Sequence, residues 1–161
     1  MALPRDLKYS ETHEWIRITE LRDPKNKKAK PEYVATIGIT DYAVSRLSDL
    51  VHIDLPNVGD NVEQGNAFGE VESVKTVAEL VSPVTGKVVD TNQDAIKHVD
   101  LVMEEPYEEG WLIKVKISDK AELETLMSDK EYDEYIKTAD EGEAEKKDEE
   151  EEEEIDEGFF M

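Results

Sequence analysis

Cysteine is absent from this chain of 161 residues. That excludes disulfides, thiolate metal sites and cysteine nucleophiles, so any redox chemistry must come from a group added to the protein. Histidine is scarce, and His13, His52 and His98 are too scattered to suggest a metal cluster. No apolar run approaches the roughly 20 residues that cross a membrane. Residues 1–6 have the pattern of neither a signal peptide nor a transit peptide, and the chain as given reads as cytoplasmic. Positive charge is in deficit. A net charge of −22 argues against nucleic acids and anionic membranes as partners. No Gly-x-Gly-x-x-Gly or phosphate loop precedes a helical pattern, and no serine sits in an elbow motif. Acid pairs are so frequent that a catalytic Glu/Asp dyad stands at chance level.

The charge is unevenly spread. Residues 139–161 hold thirteen acids and two lysines, half the net charge in one seventh of the length. Six successive glutamates, Glu149 to Glu154, repel one another and bury nothing, so this tail is expected to be disordered. Phe159 and Phe160 are out of character there, with a partner or the body of the protein as possible docking sites. Residues 1–138 remain as one folded domain, long enough for a real core.

Within that domain the pattern is one of short strands. Residues 13–19 alternate, and residues 33–39 form a second strand-like run. The polar residues 20–32 between them, with Lys25, Lys27, Lys28 and Lys30, make a hairpin with a long basic tip. Thr40 or Asp41 caps a short helix near residues 40–47, with Ala43, Val44 and Leu47 at helical spacing. Further strands are read at residues 50–56, 68–74, 77–81 and 86–91, with turn signals between them, and a last one at residues 111–117. Residues 92–109 read as irregular. Two capping boxes, Asp119 with Glu122 and Ser128 with Glu131, open C-terminal helices over residues 119–137. Many short strands with frequent turns predict an all-β-dominated sandwich or flattened barrel.

The one feature that offers chemistry is Lys75. It is the only cation between Gln64 and Lys87, and it lies between two strand-like stretches, at the tip of a hairpin. Most turn lysines only keep a chain soluble. An amine on a rigid mount, however, also suits covalent attachment.

Several segments, in order and spacing, sharpen that choice. They are Leu7-Lys8-Tyr9, His13-Glu14-Trp15, Ala35-Thr36-Ile37-Gly38-Ile39-Thr40-Asp41-Tyr42-Ala43 and Leu55-Pro56-x-x-Gly59. Gly69-x-Val71-Glu72-Ser73-Val74-Lys75 follows, with Ser82-Pro83-Val84-x-Gly86, Pro106-Tyr107 and Gly110-Trp111-Leu112-Ile113-Lys114. Through residues 7–138 the chain resembles the H proteins of the glycine cleavage system, non-catalytic carriers of the lipoyl/biotinyl-carrier fold class.

The resemblance implies lipoate as an amide on Lys75, presented by Glu72, Ser73 and Val74. Biotin carriers place methionines beside their lysine, whereas Val74 and Thr76 flank this one. The redox sulfurs missing from the chain then belong to the cofactor. It also implies partners: a pyridoxal-phosphate glycine decarboxylase, an aminomethyltransferase, a dihydrolipoyl dehydrogenase and a lipoate-attaching enzyme, all served by a monomer. Thr12, Glu14, Glu79 and Ser82 are expected in a cleft that shelters the loaded arm, with His13 as a local hydrogen bonder. The basic loop, Met103, Glu108 and residues 139–161 depart from the family pattern. Two other readings stay open: an H-like relay that delivers lipoate elsewhere, and an unmodified module that binds basic partners through its tail.

Overall fold

The computed structural model describes residues 3–139. The expectations for the tail beyond Ala139, including Glu149 to Glu154 and the two phenylalanines, lie outside the described residues.

Strands β1 (Lys8–Tyr9), β2 (Glu14–Leu21) and β3 (Glu32–Ile39) open the chain. Helix α1 (Asp41–Arg46) follows, then β4 (Leu50–Asp54), β5 (Asn61–Val62), β6 (Ala67–Ser73), β7 (Val77–Val81) and β8 (Gly86–Thr91). After helices α2 (Gln93–Lys97) and α3 (Asp100–Glu104) comes β9 (Ile113–Ile117). A 3-10 turn at Lys120–Thr125 and helix α4 over residues 129–139 end the described part. All pairings are antiparallel, in a six-stranded sheet ordered β1-β2-β3-β9-β8-β5 and a three-stranded sheet β4-β6-β7.

Both sheets feed one core. Ile37, Val88, Ile113 and Val115 come from the larger sheet, and Ile53, Phe68, Val71 and Leu80 from the smaller. The alternation that suggested strands is the alternation between this core and solvent. The result is the sandwich expected.

A second, aromatic cluster explains why several separated motif segments occur together. Trp15 is opposite Gly38 in the β2–β3 register, and a Cβ on Gly38 would come within 2.5 Å of the indole. Only glycine leaves room for that ring. The indole N–H donates to the Pro106 carbonyl at 2.8 Å. Tyr107 Oη donates to Asp41 Oδ1 at 2.6 Å. Tyr9 stacks on Tyr132 of α4 with ring centroids 4.8 Å apart. Tyr132 Oη also bonds Thr40 Oγ1 at 2.7 Å and His13 Nδ1 at 2.8 Å. Burial pushes the Tyr9, Tyr107 and Tyr132 hydroxyls above their ordinary range, so they stay protonated.

Three local readings change. Residues 92–109 contain α2, capped by Asn92, and α3, where an irregular stretch was expected. Their runs are too short for a helical period to show. The Asp119 box is half formed: Asp119 accepts from the Ala121 N–H at 2.9 Å, but Glu122 turns away. Its carboxylate takes the Thr85 N–H and hydroxyl, each at 2.7 Å, and the segment winds as a 3-10 turn. Tertiary donors outbid the local one. The Ser128–Glu131 box forms reciprocally, at 3.0 and 3.2 Å. Finally, the strands reach Leu21 and Glu32, which shortens the basic tip to residues 22–31. Asp23 and Asn26 fold that tip by accepting from the Lys25 and Lys28 N–H groups. Among the family departures, Met103 accepts the Leu50 N–H on its thioether at 3.4 Å.

Candidate functional site: a lysine turn beside an apolar cleft

Lys75 is exposed in the turn between β6 and β7. Ser73 builds the turn. Its side chain is buried, and its Oγ accepts from the Lys75 N–H at 3.3 Å and the Thr76 N–H at 3.2 Å. The backbone closes the turn with Ser73 N–H to Thr76 O at 2.8 Å, and Val74 N–H anchors it to Asp49 O at 3.0 Å. Four backbone donors, from Ser73 to Thr76, are therefore fixed while Lys75 itself is exposed. Glu72 is exposed beside it, and Val74 and Val77 remain 64% and 54% accessible.

A cleft of about 220 Å³ opens along β7. Ile39, Ala43, Leu47, Val71, Ala78 and Leu80 give it an apolar lining. Thr12, His13, Glu14, Tyr42, Arg46 and Glu79 supply polar groups. Three of the four expected cleft residues, Thr12, Glu14 and Glu79, thus share one cavity. Ser82 is elsewhere: its hydroxyl is buried in the β7–β8 turn and donates to Val84 O at 2.6 Å.

Glu14 is 1% exposed. Its Oε1 accepts from the Ser10 hydroxyl at 2.7 Å and from Thr12 Oγ1, and its Oε2 accepts from the Val81 N–H at 3.2 Å. Loss of hydration outweighs these bonds and pushes its carboxyl up to about 7. The side chain therefore clamps the entry of β2 to the outer edge of β7 and presents a proton-sensitive group to the cleft. Glu79, by contrast, is exposed at the mouth.

The sequence reading missed the α1 wall. Arg46 lies over the Tyr42 ring at 4.8 Å and donates to its hydroxyl at 2.7 Å. Their i, i+4 spacing was the available signal, but an exposed pair on a short helix carries no direction. His13 is a hydrogen bonder, but not a local one: its Nδ1 pairs with Tyr132 Oη, 119 residues away, and its ring is also 4.7 Å from that of Tyr42 on the cleft wall.

The family model described as Glycine cleavage H-protein matches residues 7–139. The chain belongs to this family. A glycine cleavage system H protein of Staphylococcus saprophyticus is 44% identical over 136 residues, 84% of this chain and 98% of the relative. Another, from Carboxydothermus hydrogenoformans, is 45% identical over 142 residues, 88% of this chain and 98% of the relative. The crystal structure of a glycine cleavage system H protein from Mycobacterium marinum superposes with a TM-score of 0.68 at 34% identity. That match covers 85% of this chain and 98% of the other. Members of the family are non-catalytic carrier subunits that hold lipoate covalently on a lysine. Among the described residues, no helix is long and apolar enough to cross a membrane.

Proposed function

We propose that Lys75 carries the lipoyl group, as an amide on Nζ, and that the cleft beside it shelters the arm when loaded with the aminomethyl group of glycine. The single observation that carries this reading is the placement of Lys75 at the head of the strand that lines the cleft. Ala78, Glu79 and Leu80 follow it by three to five residues, about 10–17 Å along a strand. An extended lipoyl-lysine reaches about 14 Å from Cα.

When bound, the group supplies a dithiol/disulfide couple and a thiol that accepts the one-carbon amine. The chain's own residues do the rest. Ser73 and the anchored Val74 fix the backbone under Lys75, so the amine is presented to a lipoate-attaching enzyme without ordering a loop each time. The apolar lining excludes water from a cargo that hydrolyses in it. Glu79, and Glu14 once deprotonated above its raised pKa of about 7, would offer carboxylates to a bound ammonium.

As a carrier of the glycine cleavage system, the chain exchanges its arm between a glycine decarboxylase and an aminomethyltransferase, with reoxidation by a dihydrolipoyl dehydrogenase. It acts as a cytoplasmic monomer whose carrier domain is residues 1–138. Neither the relay nor the unmodified module is favoured by the family assignment. Intact mass tests the central claim. Incubation with lipoate ligase, ATP and lipoate should add one lipoyl group to the chain and none to Lys75→Arg. A chain that stays unmodified, or a modified Lys75→Arg, would refute it.

A further inference from the structure

We infer that the backbone N–H of Val77, an open position on the free edge of β7, holds the amide carbonyl of the lipoyl-lysine and so lays the arm along that strand into the cleft. This rests on attachment at Lys75 and on the cleft as shelter, and it names the group that positions the arm between them.

The first observation is which backbone groups of β7 are left over. In the sheet β4-β6-β7, β7 pairs with β6 and has one free edge. The Ser73 N–H donates to Thr76 O at 2.8 Å, so residues 73 and 76 form a hydrogen-bonded pair. In an antiparallel ladder such pairs alternate with pairs whose N–H and carbonyl groups point away from the neighbouring strand. Val77, opposite Glu72, and Glu79, opposite Glu70, are of the second kind. Val81 continues the alternation, and its N–H does point outward, to Glu14 Oε2 at 3.2 Å.

The second is what those outward groups meet. Glu14 covers the edge at Val81. At Val77 the carbonyl is approached by Thr76 Oγ1 at 3.4 Å. The Val77 N–H, like the N–H and carbonyl of Glu79, has no hydrogen-bond partner among the described residues. Val77 is 54% exposed, so water solvates that N–H in the empty protein and the carbonyl of an arm can replace it. Folded proteins usually cover or blunt such an edge. Here it lies bare beside the cleft that Ala78, Glu79 and Leu80 line.

The third is reach. The five bonds of an extended lysine side chain put Nζ about 6 Å from Cα. The two residues from Lys75 to Val77 span about 7 Å of strand. An amide on Nζ therefore arrives level with Val77. The far end of the arm, about 14 Å out, is level with Glu79 and Leu80 and carries no carbonyl for the Glu79 N–H. A trans amide points its N–H and carbonyl in opposite directions, so one of them faces the edge. The carbonyl faces it, because the unpartnered group of Val77 is a donor. One bond at mid-arm restricts the arm before its cargo reaches the cleft.

Hydrogen exchange tests this without a substitution. In protein lipoylated on Lys75 and loaded by the decarboxylase with glycine, both verified by mass, the Val77 amide should exchange several-fold more slowly than in unmodified protein. Proline at 77 removes the N–H and is tolerated on a strand edge, whereas alanine keeps it. With 13C at the lipoyl methylene next to the carbonyl, relaxation should show that carbon tumbling with the protein in Val77→Ala and freely in Val77→Pro. The cargo should hydrolyse several-fold faster in Val77→Pro than in Val77→Ala. Unchanged Val77 exchange in loaded protein whose Ala43 and Leu80 signals have shifted overturns the inference and leaves the shelter standing. Equal mobility of the arm in the two variants also overturns it. Loaded protein in which neither Val77 nor the cleft responds removes the shelter, and absence of lipoylation at Lys75 removes the carrier reading, each taking this inference with it.

Discussion

Glu14 shows how a single residue is set by surroundings that its neighbours in sequence do not reveal. Its carboxyl titrates at about 7 in the folded protein, against an ordinary 4.5. Between those pH values the native state holds a proton that the unfolded chain has released. Stability therefore falls as pH rises from about 4.5 to about 7 and is flat with respect to this group above that, a change on the order of 3 kcal/mol. Glu14→Gln should remove this slope while losing the bond from the Val81 N–H, because an amide cannot accept on its nitrogen. Urea unfolding of both proteins across this range measures the effect. A constant difference between them would show that Glu14 does not titrate there. Gly38 is a second residue with a simple test. Gly38→Ala forces a methyl group into the Trp15 ring and should destabilise the fold by about 2–3 kcal/mol in the same assay. The match of Trp15 and Gly38 could not be read from their separate motifs, since it depends on a register that places them opposite each other.

At the scale of an element, the β6–β7 turn separates having a lysine from presenting one. Ser73→Ala leaves Lys75 in place but strips the acceptor from two N–H groups. It should lower the kcat/KM of lipoylation several-fold and cost about 1 kcal/mol of stability, with Ser73→Thr restoring most of both. Equal lipoylation of Ser73→Ala and the parent would show that the mount is unimportant. The seven longer strands, α1 with its Thr40 cap and the Ser128–Glu131 box were legible because each is written in neighbouring residues, whereas the two-residue strands β1 and β5 were not. The Asp119 box was misread in part because Glu122 had better donors in Thr85, distant in sequence. Likewise, α2 and α3 are five-residue helices held by their packing, with Ala95 and Val102 buried. No period that short is visible beforehand.

At the scale of the molecule, the family match ends at residue 139, while half of the charge of −22 lies at residues 139–161. A chain ending at residue 139 should therefore unfold cooperatively, with a Tm within a few degrees of the full chain in physiological salt. Loss of cooperativity would mean that the tail is part of the fold. Self-repulsion among the acids should also make the full chain gain stability as salt rises from low ionic strength, which thermal scans against sodium chloride will show.

The sequence by itself determined the absence of sulfur chemistry, the strand pattern, the lone lysine at a hairpin tip and the resemblance that gave it a cargo. Those are properties of residue type and local spacing. Only the tertiary structure decided what faces that lysine. It brought Thr12 and Glu14, at the entry to β2, together with Glu79 of β7 in one cavity, sent Ser82 to a turn, and added Tyr42 and Arg46 from α1. Cavities are made where elements distant in sequence meet, and their packing angle and register are fixed by the whole core. Spacing along the chain therefore singled out Lys75 as the proposed anchor, and only the folded sheets could form the cleft proposed to shelter its arm.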